Sequence, residues 1–265
     1  MSELQISPIA AFTDNYFWLL ERAGRAVVVD PGDAGPVLET LARRGLALEA
    51  ILVTHHHADH IGGLAQLRAR HRVPVYGPAA EAAAIHGLTH ELREGARVPL
   101  PALDLVLEVW EVPGHTLGHI AYVAPGLVLC GDTLFSAGCG RLFEGTPAQM
   151  YRSLSRLAAL PDATRVYCTH EYTLANLAFA ATVEPERQAL REEIARVRAL
   201  RASGQPSLPS TIGRERAINP FLRAADPAVA GAARGHSGAA LATPLEVFAE
   251  LRRWKDGFRP PPDAR

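Results

Sequence analysis

Four histidines fall within six residues, at His55, His56, His57 and His60, with Asp59 among them. Imidazoles so close together pack poorly and are costly to desolvate without partners. Ligation of metal ions is the chemistry that suits them. In an extended segment, residues two apart point the same way, so His55 and His57 can grip one ion while His56 points away. Asp59 and His60, past a turn, can face a second ion. Further along stand His115, Asp132 and His170. A carboxylate has two oxygens to share, so Asp132 could bridge the two ions, with His115 and His170 completing one each. The set mixes imidazole and carboxylate and contains no thiolate, which suits zinc, iron or manganese.

These residues share a context. Each group follows an apolar run that reads as a β-strand. Ile51-Leu52-Val53 precedes the histidine cluster, and Val109 to Val112 precedes Pro113-Gly114-His115. Leu127 to Cys130 precedes Gly131-Asp132, and Val166 to Cys168 precedes Thr169-His170. Ligand groups collect beyond the carboxyl ends of strands, where a rigid sheet holds them. If the four strand ends lie together, one rim carries every candidate. Other strands are expected over Leu4–Ile9, Tyr16–Leu20, Ala26–Val29, closed by the Asp30-Pro31-Gly32 turn, and Val73–Tyr76, with a hairpin around Pro125-Gly126. Helices are expected over Pro36–Arg44 with Gly45 as C-cap, Ile61–Arg70, and Thr146–Leu160 with Thr146 as N-cap.

From about Tyr172 onward the pattern predicts helices and loops and no strands. Glu186–Arg201 reads as a helix acidic at its start and basic at its end, as the helix dipole favours. Pro244–Lys255 reads as another, with Leu245, Phe248 and Leu251 on one face. The pattern therefore predicts a mixed α/β domain over residues 1–171 and a smaller helical domain over residues 172–265, with a frayed tail from Arg259.

Composition narrows the function. The 265 residues carry 27 basic and 28 acidic side chains, a formal charge of −1, which argues against a general nucleic-acid binder. No uncharged apolar run is long enough to span a bilayer. The first residues lack a basic stretch followed by an apolar one, which predicts no secretory leader. Cys130, Cys139 and Cys168 are too few for a disulfide framework, and a reducing cytoplasm is the expected compartment. Cys130 and Cys168, in strands, are expected to be buried, and Cys139 is not assigned as a nucleophile. His71, His86, His90 and His236 lack the strand-end context and are expected at the surface. His119 is left out of the ligand set, as either a support for the ligands or core packing.

The run Thr54-His55-His56-His57-Ala58-Asp59-His60 resembles the HxHxDH signature of the metallo-β-lactamase superfamily. His115, Asp132 and His170 follow in the order that superfamily uses. The resemblance narrows to glyoxalase II, the hydroxyacylglutathione hydrolases, with Gly114-His115-Thr116-Leu117-Gly118-His119, Gly138 to Thr146, and Thr169-His170-Glu171-Tyr172-Thr173. It extends over essentially the whole chain, to Arg252-Arg253-Trp254-Lys255.

The resemblance implies an αβ/βα sandwich of the metallo-β-lactamase type with a smaller C-terminal helical domain. It implies that His55, His57 and His115 hold one divalent ion and Asp59, His60 and His170 the other, with Asp132 bridging. Zinc is the first expectation and iron or manganese the alternatives. Asp59 and Asp132 would act catalytically, with a metal-bridging hydroxide as the attacking group. Arg141, Phe143, Tyr172, Arg252 and Lys255 would surround glutathione. Some members have Lys in place of Arg141, which keeps the charge, and Tyr in place of Phe143, whose hydroxyl is absent here.

The implied reaction is hydrolysis of S-(2-hydroxyacyl)glutathione, such as S-D-lactoylglutathione, to glutathione and a 2-hydroxy acid. That is the second step of methylglyoxal detoxification, performed by a monomer with no nucleic acid or membrane partner. The rivals are another hydrolase of the superfamily acting on a lactone, β-lactam or phosphodiester, a mononuclear iron dioxygenase of glutathione persulfide, and a metal-binding module without turnover. On spacing alone, Arg252 and Lys255 also fit a solvated basic helix end.

Overall fold

The computed structural model describes residues 3–261. The expectation of a frayed tail falls partly on residues 262–265, which lie outside the described residues. The chain divides into two compact units. One holds the residues up to Glu111 together with Leu117–Gly131, and the other holds Val112–Thr116 and the residues from Asp132 onward.

The first unit opens with β1 (Gln5–Ala11), β2 (Asn15–Arg22) and β3 (Arg25–Val29), followed by helix α1 (Ala34–Arg44) and β4 (Ala47–Leu52). Two short helices, α2 (Ala58–Ile61) and α3 (Leu64–Arg70), lead to β5 (Val75–Pro78) and β6 (His90–Leu92). These strands form one sheet in the order β1-β2-β3-β4-β5-β6. The β1-β2 and β2-β3 pairs are antiparallel, and the pairs from β3 to β6 are parallel. The β-branched run of β3 (Val27, Val28, Val29) is buried on both faces, as parallel strands require. Helix α1 is capped at its start by Asp33, whose side chain accepts from the Gly35 amide. It closes at Gly45, in the left-handed region at φ +63°, where only glycine sits without strain. Its Val37 and Leu41 pack with Phe17, Val28, Ile51, Leu64 and Leu67 in the core of this unit.

The sequence predicts one helix over Ile61–Arg70, whereas the chain folds as α2 and α3 with Gly62-Gly63 between them. A Cβ on Gly62 would lie 2.5 Å from the Gly32 carbonyl oxygen, and one on Gly63 would lie 2.6 Å from that of Pro31. The close approach of the 30–32 turn interrupts the helix. After β6 come β7 (Arg97–Leu100), β8 (Leu105–Glu111), β9 (Ile120–Ala124) and β10 (Leu127–Gly131). They pair antiparallel in succession, and the β9-β10 hairpin turns at Pro125-Gly126 as expected. Tyr122 of β9 donates its hydroxyl to the Val53 carbonyl at 2.8 Å, at the start of the histidine cluster.

The second unit contains β11 (Leu134–Phe135), β12 (Gly138–Cys139), α4 (Pro147–Ala158), β13 (Arg165–Cys168), α5 (Thr173–Val183) and α6 (Gln188–Ala202). It ends with β14 (Ser210–Thr211), α7 (Ile212–Ile218), α8 (Pro227–Ser237) and α9 (Pro244–Gly257). Thr146 caps α4 through a capping box with Gln149. Strand β14 corrects the expectation of no strand after Tyr172: Ser210 and Thr211 pair antiparallel with β13. Two residues are too few to show a period of two. The start of α6 is also corrected. Glu186 lies in a turn before it, where the Arg187 amide donates to Glu184 O at 3.2 Å, so the first turn carries no acidic residue. In α9, Phe248 and Leu251 are buried together with Val247, while Leu245 is only half-buried. Leu177, Ala180, Leu190, Val197 and Ile218 form an apolar cluster with Ala137 of the β11-β12 turn. Among the described residues no helix is long and apolar enough to cross a membrane.

Candidate metal centre

In the first unit the candidate ligands follow β4. His55 Nε2 and His57 Nδ1 lie 3.1 Å apart. Two imidazole nitrogens on a tetrahedral ion, each bonded at about 2.0 Å, would be about 3.3 Å apart, so this pair already has the required bite. His56 turns away, as the extended spacing predicts. Its backbone amide and its Nδ1 both bond the buried Glu81 carboxylate, at 2.7 and 2.9 Å. The same carboxylate accepts from the Gly118 amide at 3.0 Å. Asp59 and His60 follow on α2, with Asp59 Oδ2 3.5 Å from His60 Nε2. Asn15 donates its amide to Asp59 Oδ2 at 2.9 Å. His119 is buried and stacks on the ring of the candidate ligand His55, centroids 4.6 Å apart.

The sequence pattern marks Asp30 only as part of a turn. Its buried carboxylate accepts from the Thr54 amide and the Thr54 hydroxyl, both at 2.7 Å, and lies 3.3 Å from His60 Nδ1. Thr54 Oγ1 in turn meets His55 Nδ1 at 3.0 Å. One carboxylate thus approaches two candidate ligands, His60 at 3.3 Å and His55 through Thr54; carboxylates commonly support metal-binding imidazoles in this way. Asp30 adopts φ +52°, a strained conformation for a residue with a side chain. The signal was present: Asp30 follows the apolar β3, in the same position that draws attention to Asp132. Glu81 and Asn15 carry no comparable signal.

In the second unit, Asp132 stands between two imidazoles. His115 Nε2 is 3.3 Å from Asp132 Oδ2, and His170 Nε2 is 3.4 Å from Asp132 Oδ1. The Thr169 hydroxyl donates to Oδ1. His115 Nδ1 is engaged by the Arg141 carbonyl at 2.8 Å, which leaves Nε2 directed at the carboxylate. Glycine is required at position 140, where a Cβ would lie 2.0 Å from the Asp132 carbonyl oxygen. His170 is covered by Tyr172, stacked at 4.7 Å and 6°, with Phe135 edge-on to both rings.

The five residues expected at the substrate also lie in this unit. Arg141 is largely exposed and reaches Asp256 at 3.4 Å. Phe143 is 61% exposed and stands edge-on to His115, centroids 5.3 Å apart. Tyr172 is partly exposed at the start of α5. Arg252 is buried: Nη1 donates to the Cys139 carbonyl at 2.9 Å and Nη2 to Asp256 Oδ1 at 2.8 Å. Lys255 Nζ donates to the Ala175 carbonyl at 3.1 Å and sits 5.3 Å from the Phe179 ring centroid. Burial, aided by the Arg252 charge, lowers its pKa to about 8. A solvated helix end does not describe this pair. All three cysteines are buried, and burial pushes the Cys139 thiol up, away from the range of a nucleophile.

Residues 12–170 match the family model described as the metallo-β-lactamase superfamily. A solved ETHE1 structure from Myxococcus xanthus superposes with a TM-score of 0.66 at 26% identity, covering 97% of this chain and 92% of that one. A chain solved in a di-iron-bound form superposes with a TM-score of 0.59 at 28% identity, covering 82% of this chain and 100% of that one. Fold and donor set together define a divalent-metal-binding protein with the metallo-β-lactamase fold and a helical C-terminal domain. Residues 171–258 match the model described as the hydroxyacylglutathione hydrolase C-terminus. Proteins named hydroxyacylglutathione hydrolase from Cupriavidus taiwanensis and Alkalilimnicola ehrlichii are 55% and 56% identical. The matches cover 97% and 95% of this chain and 100% and 98% of theirs. The chain belongs to the hydroxyacylglutathione hydrolase family.

Proposed function

We propose that the chain hydrolyses S-(2-hydroxyacyl)glutathione thioesters, such as S-D-lactoylglutathione, to glutathione and the 2-hydroxy acid. The observation that carries this reading is the Asp132 carboxylate, which offers one oxygen to His115 and the other to His170. A carboxylate so placed could bridge two ions. His55, His57 and His115 would hold one ion, and Asp59, His60 and His170 the other. Supporting it, His55 Nε2 and His57 Nδ1 lie 3.1 Å apart in the first unit, where Asp59 Oδ2 also lies 3.5 Å from His60 Nε2. Donors limited to imidazole and carboxylate fit zinc, iron or manganese alike; zinc is the expectation that the family resemblance adds.

When bound, such ions polarise a carbonyl and bring the pKa of water to about 7. The chain's own residues hold and orient. Asp30 and Thr54 fix His55 and His60, the Arg141 carbonyl fixes His115, and Tyr172 covers His170. Arg141, Phe143, Tyr172, Arg252 and Lys255 would receive the glutathione part, whose two carboxylates suit the cations. The leaving thiolate, with a pKa of about 8.5, departs without a strong general acid, which agrees with the lack of a dedicated acid among the assigned residues. We assign residues 1–171 to a catalytic domain, which also carries Arg141 and Phe143, and residues 172–265 to a helical substrate-binding domain, in a cytoplasmic monomer.

The test is hydrolysis of S-lactoylglutathione by the purified chain, with metal content measured on the same sample. Turnover abolished by a chelator, with about two ions per chain, is the expected outcome. Two ions with no turnover would reject the substrate, and persulfide, lactone and phosphodiester substrates would follow in that order.

A further inference from the structure

The β11-β12 hairpin begins two residues after Asp132 and ends two residues before Arg141. Its strands are two residues long and pair only Leu134 with Cys139 and Phe135 with Gly138. A hairpin this short does not hold its own shape. Ala137, in its turn, also adopts φ +55° and is fully buried. The hairpin's Ala137 amide and four of its carbonyls are nevertheless engaged by side chains from the helical segments that follow. The Glu215 carboxylate accepts from the Ala137 amide at 2.7 Å. Asn219 donates to the Gly138 carbonyl at 2.9 Å and the Phe135 carbonyl at 3.2 Å. Asn176 donates to the Ser136 carbonyl at 3.0 Å. Arg252 donates to the Cys139 carbonyl at 2.9 Å.

Glu215 is the centre of this arrangement. It is fully buried, accepts also from Asn219 Nδ2 at 3.1 Å and from the Ser210 hydroxyl, and takes no part in the chemistry proposed above. Beyond the hairpin, the Gly140 amide donates to the Thr133 carbonyl at 3.1 Å, and the Arg141 carbonyl engages His115 Nδ1. A displaced hairpin would therefore move Asp132 at one end and the support of His115 at the other.

We propose that Glu215, with Asn219 and Asn176, is a positioning residue for the metal centre, acting through the 134–139 hairpin on Asp132 and His115. The proposal rests on the assignment of Asp132 and His115 as ligands. It gives the C-terminal helices a second task besides receiving glutathione. Burial raises the Glu215 pKa, while donors from Ser210, Ala137, Asn219 and Ser136 oppose that rise. An acid that is both enclosed and served by four donors is built to hold backbone in place.

The experiment uses the full-length chain and its Glu215→Gln and Asn176→Ala variants. The second loses a single hydrogen bond to the hairpin and serves if the first does not fold. Amide hydrogen exchange is followed over residues 132–143, and cobalt(II) is bound as a spectroscopic probe. Exchange in that segment should quicken on the order of tenfold as a buried hydrogen bond is lost, with residues 34–44 unchanged. The visible bands of bound cobalt should shift, and kcat should fall more than KM rises. A variant that melts earlier yet keeps the wild-type cobalt spectrum and kcat overturns the proposal, as does unchanged exchange. A wild-type chain that binds cobalt but cleaves no thioester refutes the proposed substrate instead, and the positioning role is then decided by the spectrum.

Discussion

Raising the pH should strip the charge from Lys255 long before it affects an ordinary lysine. The ammonium lies between the Phe179 and Phe258 rings, against the Ala175 carbonyl and near Arg252. Burial first, and the Arg252 charge second, bring its pKa from 10.5 to about 8. If Lys255 binds a glutathione carboxylate, only its protonated form is competent. That form falls from about nine-tenths at pH ~7 to about one-tenth at pH ~9, so affinity should drop about tenfold, or ~1.4 kcal/mol. The assay is competitive inhibition by an S-alkylglutathione, which has no thioester to hydrolyse in alkali. The inhibition constant should rise over that interval in the wild type and stay flat in Lys255→Arg, whose guanidinium remains charged.

Stability should move the other way. Between pH 8 and 10.5 the unfolded chain binds the proton that the native lysine has released, so resistance to denaturant should increase with pH across that window. An inhibition constant that is level in the wild type, or that rises equally in Lys255→Arg, would refute the reasoning.

Three further outcomes are expected. Asp132→Ala should lose both metal stoichiometry and thioester turnover; two ions retained with full activity would remove Asp132 as the bridge. Gly32→Ala would place a Cβ 1.9 Å from the Asp59 carbonyl oxygen. It should cost on the order of 1–3 kcal/mol and lower metal content, and a wild-type melt with full metal loading would contradict it. Thr146→Ala removes the capping box of α4. It should cost about 1 kcal/mol, seen as a melting temperature ~2–4 °C lower, with metal content unchanged; a drop in bound metal would show that α4 does more than support.

What was legible in the sequence had either a period or a strand end to announce it. The valines of β3 and the apolar run before His55 mark buried strands, and the ligand candidates stand where such strands stop. His56 was excluded by the same extended spacing, and its bond to Glu81 agrees with that. What was not legible depends on chain segments far apart in sequence. Strand β14 exists because Thr211 and Ser210 pair with Arg165 and Val166, which no local pattern encodes. The break between α2 and α3 comes from the 30–32 turn lying against Gly62 and Gly63. Glu81, Asn15 and Glu215 are single polar residues whose partners lie tens of residues away, so their burial is visible only after folding.

The two family models meet between His170 and Glu171, a seam that invites treatment of the tail as an interchangeable cassette. The hairpin at 134–139 argues otherwise. Its carbonyls at Phe135, Ser136, Gly138 and Cys139 are satisfied by Asn219, Asn176 and Arg252, all from beyond the seam. Tyr172, two residues past it, covers the His170 ring. A chimera spliced at that point would inherit a hairpin cut for another tail. Recombination in this lineage, in nature or by design, should therefore transmit the 134–139 hairpin together with the helices that read it.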